Sequence, residues 1–201
     1  EYAIGSINFT GDMPVILTRD GPSLGGFVCP VTIIKSELWK VGQVKPGDRI
    51  RFKRLGFDTA LGMEHTQDQA IESLSVVTPA APLAIPEPNH GLSACILASL
   101  PQAGSRPLVT YRQAGDKYIL LEYGDNVLDL RLRLRVHALM EALKASPIEG
   151  IIELSPGVRS LQVNYDSRIL HQQDLVAGLL AIEHGLPDAA SLRVPSRVLH
   201  L

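Results

Sequence analysis

Over the first quarter of the chain, apolar and polar residues alternate in short runs, and glycine or proline interrupts each run. Tyr2, Ile4, Ile7 and Phe9 form one run and residues 15–18 the next, with a turn over 10–14 between them, so two short strands are predicted. Residues 27–34 read as a third strand. Pro30 has no N–H to give to a ladder, which assigns that strand to an edge or a bulge. Residues 36–41 predict a single helical turn with Ser36 as its cap. Lys45-Pro-Gly-Asp48 has Pro and Gly where a type II turn needs them. The turn feeds a run over 49–53 in which Ile50 and Phe52 alternate with basic residues, the mark of a strand with one buried face. So many short strands between Gly/Pro turns predict a barrel-like β domain.

Past residue 54 the pattern changes twice. Residues 66–76 predict a short helix. Residues 78–88 then hold four prolines, which excludes a helix interior or a central strand and leaves an extended connector. The turn-rich run from 89 to 107 is expected to be poorly structured. From 108 onward strand and helix patterns recur: strands over 108–113 and 118–123 around a turn at 114–117, then an apolar-periodic run. Its middle alternates like a strand, but Leu128, Leu132, Val136, Leu139 and Leu143 lie on one helical stripe, so a helix is predicted. Asp125 or Asn126 is its expected cap, and Pro147 limits its end. Leu130 and Leu134 fall on the opposite side and predict a second covered surface. Strands over 150–154 and 158–165 and a helix over 174–183, stopped by Gly185, complete a ββαββα sandwich with both helices on one sheet face. The expected fold class is therefore α+β. Residues 1–80 form a β domain, 81–107 a Pro-rich linker, 108–186 the ββαββα domain, and 187–201 the start of a truncated following domain. The last carries a strand-like tail over 192–200.

Bulk properties narrow the chemistry. The chain has 201 residues, a net charge of −2 and no long basic block, so neither a nucleic-acid surface nor an anionic membrane surface is indicated. No apolar run approaches the roughly 20 residues that span a bilayer, and the first residues lack the basic and apolar regions of a signal peptide. A cytoplasmic piece of a longer chain is expected. The two cysteines, Cys29 and Cys95, make no disulfide framework and are expected to be buried structural thiols.

Candidate chemistry is sparse. The six histidines, His65, His90, His137, His171, His184 and His200, have no metal-ligand spacing. There is no Gly-x-Ser-x-Gly elbow and no P-loop. The run from Gly11 to Phe27 stands apart because it packs glycine-rich turns and two acids around one short strand. Asp20, with Ser23 and the amides of Gly25 and Gly26, can hold an amide-like –NH2 and an oxygen. Equally, Asp20 can cap its own turn, and spacing alone leaves both readings open. The pair Asp125-Asn126 reads chiefly as a cap.

Three stretches carry a family resemblance. The segment from Phe9 to Val28, Trp39-Lys-Val-Gly-Gln43 and the run from Lys45 to Phe52 resemble an allophanate hydrolase subunit 2 domain. The run from Tyr118 to Leu130, Arg135-Val-His-Ala-Leu139 and the run from Ser155 to Asp166 resemble the start of a subunit 1 domain. That order in one chain is similar to the carboxyltransferase part of urea carboxylase, and the likeness leaves out only about 80–107.

The resemblance implies a partial cyclophilin-like β-barrel over 1–80 and a ferredoxin-like or similar domain over 108–186. It implies a biotin-dependent carboxyltransferase that moves CO2 from carboxybiotin to a urea nitrogen and gives allophanate, and in such an enzyme Asp20, Ser23, Gly25 and Gly26 are the candidate substrate contacts. Biotin would ride on a carrier domain, and ATP and Mg would be used by a biotin carboxylase domain of the parent chain. The fragment is expected to be inactive alone. Because a carboxylate at Asp20 would pair even better with a guanidinium, a guanidine carboxylase is one alternative. A regulatory or 5-oxoprolinase-associated module is the other.

Overall fold

The computed structural model describes residues 2–19, 28–76 and 95–193. The first unit is a three-stranded antiparallel sheet of β1 (Ser6–Thr10), β2 (Met13–Ile16) and β3 (Val28–Thr32), in the order β2-β1-β3. The predicted strands are present here. Pro30 sits on an edge strand and at a register shift: β1 moves from Ile7↔Val31 to Phe9↔Val28, so Cys29 and Pro30 together oppose Asn8. A residue without an N–H is tolerated at such a place.

The predicted turn at 45–48 is also present. Gly47 has φ +96°, the Asp48 N–H donates to the Lys45 carbonyl at 3.0 Å, and the Asp48 carboxylate accepts from the Lys45 N–H at 3.0 Å. The strand predicted to follow does not form. Among the described residues no strand pairs with 49–53, and Ile50 and Phe52 are exposed. Three strands do not close on themselves, so the described residues form an open sheet rather than a barrel. Its apolar side chains Met13, Val28 and Val31 are exposed.

After a 3-10 segment (Lys35–Gln43), α1 (Phe57–Glu72) begins nine residues earlier than the pattern indicated. Acidic, polar and apolar residues are mixed around this helix, and only Ala60, Glu64 and Ala70 are buried, so no clean stripe marked its start. The Pro-rich stretch 78–88 and the tail from 194 lie outside the described residues.

The second unit is a five-stranded antiparallel sheet. Its strands are β4 (Ile96–Leu100), β5 (Val109–Gln113), β6 (Tyr118–Tyr123), β7 (Ile151–Pro156) and β8 (Ser160–Tyr165), ordered β4-β5-β6-β8-β7. β4 is an edge strand in a run expected to be poorly structured. It pairs with β5 through a register shift, and Leu97, Ala98 and Leu100 pack against the core. The element sequence from β5 onward is ββαββα, as the pattern predicted, and every neighbouring pair is antiparallel. This is not the β-α-β-β-α-β order of a ferredoxin-like domain.

The core follows from period-two alternation. Val109, Tyr111, Ile119, Leu121, Tyr123, Leu161, Val163 and Tyr165 project from one sheet face and are fully buried. They meet the stripe Leu132, Val136, Leu139 and Leu143 of α2 (Leu130–Ala145) and Leu175 and Leu179 of α3 (Gln172–Gly185). The stripe is as predicted, with one exception: Leu128 precedes the helix and is exposed.

Leu130, on the side predicted to be covered, is 72% exposed. The cap is also different. Asp129, not Asp125 or Asn126, accepts from the Arg131 N–H at 2.8 Å. Asp129→Ala should lower the guanidinium chloride midpoint of unfolding, while Asp125→Ala should leave it in place. The reverse order would reassign the cap.

Candidate functional site

The predicted substrate residues Asp20, Ser23, Gly25 and Gly26 lie outside the described residues. Their anchors are described. β2 ends beside the start of β1, where the Leu17 N–H donates to the Ser6 carbonyl at 2.8 Å, and β3 begins beside the far end of β1 with Val28 opposite Phe9. Asn8 lies between these anchors on the central strand. It is buried, and its Oδ1 has no hydrogen-bond partner among the described residues. Nothing in the sequence singled Asn8 out, because a lone Asn within a short strand carries no spacing signal.

Asp125 and Asn126 form an exposed turn after β6. Asn126 Oδ1 accepts from Arg159 Nε at 3.4 Å. Beside them, on the sheet face away from the helices, Glu122 is gripped by two guanidiniums: Arg112 Nε at 2.6 Å and Arg159 Nη2 at 2.7 Å. Gln162 is buried, and its Nε2 has no hydrogen-bond partner among the described residues. Cys29 and Cys95 are both exposed, contrary to expectation, because each sits on or next to an edge strand.

The densest polar cluster lies where the two units meet. The β5–β6 turn, expected only to join two strands, reaches into the first unit. Asp116 Oδ2 accepts from the Lys35 N–H at 2.9 Å and so caps the 3-10 segment, which has no cap of its own. The predicted cap, Ser36, lies inside that segment, with its Oγ buried and without a hydrogen-bond partner among the described residues. Burial pushes the Asp116 carboxyl above the usual carboxylate range, and the Lys35 N–H acts against that rise.

Lys117 Nζ stands 2.5 Å from Glu64 Oε2 on α1, at an angle outside hydrogen-bond geometry, so the contact is an ion pair. The same ammonium donates to Ser167 Oγ at 2.9 Å and lies 3.6 Å from Asp166 Oδ1. Arg168 forks onto Asp166 at 2.9 and 2.7 Å and reaches Asp68 of α1 at 2.6 Å. The Arg168 guanidinium holds the Asp166 carboxyl far below its ordinary value. With its cations and carboxylates already paired, the cluster is built to hold the units together. No sequence signal could have found it, since its members lie as far apart as Lys35 and Arg168.

A third cluster lies under α3. The Glu183 carboxylate, 1% exposed, accepts from Arg135 at 2.6 and 3.0 Å and from the Tyr123 hydroxyl at 2.5 Å. Among the described residues no group of three metal-ligating side chains occurs, and no helix is long and apolar enough to cross a membrane.

Comparison with known proteins places this arrangement. The family described as carboxyltransferase domain, subdomain A and B, matches residues 1–54, and the one described as carboxyltransferase domain, subdomain C and D, matches residues 109–199. The chain belongs to the carboxyltransferase-domain family. It is 42% identical to a urea amidolyase of Lachancea kluyveri over 100% of its own length. It is 41% identical to a urea amidolyase of Saccharomyces cerevisiae, also over 100% of its length. It spans 11% of each of these relatives. The crystal structure of the Kluyveromyces lactis urea carboxylase superposes with a TM-score of 0.82 at 42% identity, covering 92% of this chain and 16% of that one. The family matches leave residues 55–108 unassigned, and α1, the helix that carries Glu64 and Asp68, lies in that interval.

Proposed function

We propose that this chain forms the junction between the two halves of a biotin-dependent carboxyltransferase, which passes CO2 from carboxybiotin to a urea nitrogen and yields allophanate. The observation that carries the reading is the succession of both carboxyltransferase matches in one chain that is 41–42% identical to urea amidolyases. Biotin would be held on a carrier domain and charged by an ATP- and Mg-using biotin carboxylase domain, both elsewhere in the parent chain. When bound, carboxybiotin supplies an activated carboxyl group and a ureido nitrogen that takes up the proton released.

Urea nitrogen is a weak nucleophile because its lone pair is delocalised into the carbonyl. The site must therefore orient it and stabilise charge on oxygen. In this reading the Asp20 carboxylate accepts hydrogen bonds from one –NH2 group, while Ser23 and the amides of Gly25 and Gly26 hold the urea oxygen. A new N–C bond then forms as the carboxyl group leaves its donor.

The test uses the full-length parent enzyme. Asp20→Asn should lower kcat/KM for urea by about tenfold or more, the loss of one charge-assisted contact. Unchanged constants would overturn the role of this loop. A wild-type preference for guanidine of about tenfold or more would overturn urea as the substrate.

A further inference from the structure

The turn between β5 and β6 makes three successive contacts with the first unit. Gly115 has φ +75°, and a Cβ there would stand 2.8 Å from Thr32 Cγ2 and 3.0 Å from Thr32 Cβ, so only glycine lets the turn lie this close to β3. Asp116 caps the 3-10 segment through the Lys35 N–H. Lys117 pairs with Glu64 of α1. From its own unit the turn is tied down by the Tyr165 N–H, which donates to the Lys117 carbonyl at 3.0 Å, and Arg168 extends the grip on α1 through Asp68.

The contacts fall on three separate elements of the first unit: β3, the 3-10 segment and α1. Contacts spread in this way resist rotation as well as separation. The helix that receives Lys117 and Arg168 lies in the interval that neither carboxyltransferase match covers.

We propose that the 115–117 turn and α1 form a clasp that sets the orientation of the two carboxyltransferase halves, with Asp116 and Lys117 as its positioning residues. The clasp rests on the carboxyltransferase reading only for its effect on turnover. Its effect on the backbone can be read without that activity.

The test compares Asp116→Ala, Asp116→Asn and Lys117→Met in the full-length enzyme. Asp116→Ala removes the acceptor for the Lys35 N–H. Asp116→Asn keeps an acceptor oxygen. Lys117→Met keeps the aliphatic stem without the charge. Hydrogen exchange over residues 33–38 should be about tenfold faster in Asp116→Ala and close to wild type in Asp116→Asn. For urea carboxylation, kcat should fall several-fold in Asp116→Ala and Lys117→Met while KM for urea stays within about twofold, because the loop proposed to hold urea belongs to the first unit. Asp116→Asn should restore kcat. Wild-type exchange in both Asp116→Ala and Lys117→Met would overturn the clasp, whatever the activity. If Asp116→Ala does not fold, the same readouts on Lys117→Met decide. A wild-type enzyme that does not carboxylate urea would overturn the functional reading instead and leave the exchange result to judge the clasp.

Discussion

Glu183→Ala should remove about 3–5 kcal/mol of stability, the usual effect of breaking a buried ion pair from one side. Glu183 is 1% exposed, and its partner Arg135 is 5% exposed. Without the carboxylate, the Arg135 guanidinium keeps only the carbonyls of Pro187 at 2.7 Å and Glu183 at 3.2 Å, neither of which neutralises its charge. The Tyr123 hydroxyl loses its acceptor as well.

The triple variant Glu183→Leu, Arg135→Met, Tyr123→Phe should recover most of that loss, because it removes the desolvated charges and the hydroxyl together and refills the space with apolar atoms. Guanidinium chloride denaturation of the three proteins measures both effects. A loss below about 1 kcal/mol in Glu183→Ala would mean that water reaches Arg135 and that the pair is not dry.

Raising the pH should unfold the second unit steeply above about pH 10. Tyr111, Tyr123 and Tyr165 are fully buried on the helix-facing side of the sheet. Burial pushes each phenol up, to about 12 for Tyr165 and further for the other two, where the nearby Glu183 charge adds to the effect. Below about pH 10 both folded and unfolded chains keep these phenols protonated, and their contribution to stability is complete. As the pH rises past that value the unfolded chain ionises while the folded one does not, so the unfolded state binds fewer protons and stability falls. Three such groups remove about 4 kcal/mol by pH 11 and roughly 7–8 kcal/mol by pH 12, comparable to the whole stability of a domain. Tyrosinate absorbance of these three residues should therefore rise only together with loss of circular dichroism. Ionisation near pH 10 in a chain of native ellipticity would contradict their burial.

The legible parts of this protein were those encoded by local spacing. The ββαββα succession, the stripe Leu132–Val136–Leu139–Leu143 and the Gly47 turn each follow from a period or a backbone requirement contained within a few residues. So did the edge position of Pro30, since a missing N–H is a property of one residue.

Errors arose where a neighbour distant in sequence decides. Residues 49–53 alternate like a strand, yet no described strand pairs with them, and alternation without a partner does not make a ladder. Ile96–Leu100 pairs because β5 offers an edge, although its surroundings read as turns. The choice among Asp125, Asn126 and Asp129 as cap depends on which turn the chain takes after β6. Three acidic or amide side chains within five residues do not distinguish that.

The sequence by itself determined the two-part α+β plan, the core stripe of α2, and, through the resemblance of two motif sets in order, the carboxyltransferase family. It also directed attention to the loop from Asp20 to Gly26 as a candidate substrate contact. Only the tertiary structure decided that the modest turn Ala114-Gly-Asp-Lys117 grips Thr32, Lys35 and Glu64, that α1 receives it, and that Glu183 is buried against Arg135 and Tyr123. The physical reason is the range of the interactions. Hydrophobic periodicity and turn chemistry act between near neighbours along the chain. An ion pair or a borrowed cap acts between whatever groups the packing brings within about 3 Å, and its partners carry no mark of one another in the sequence.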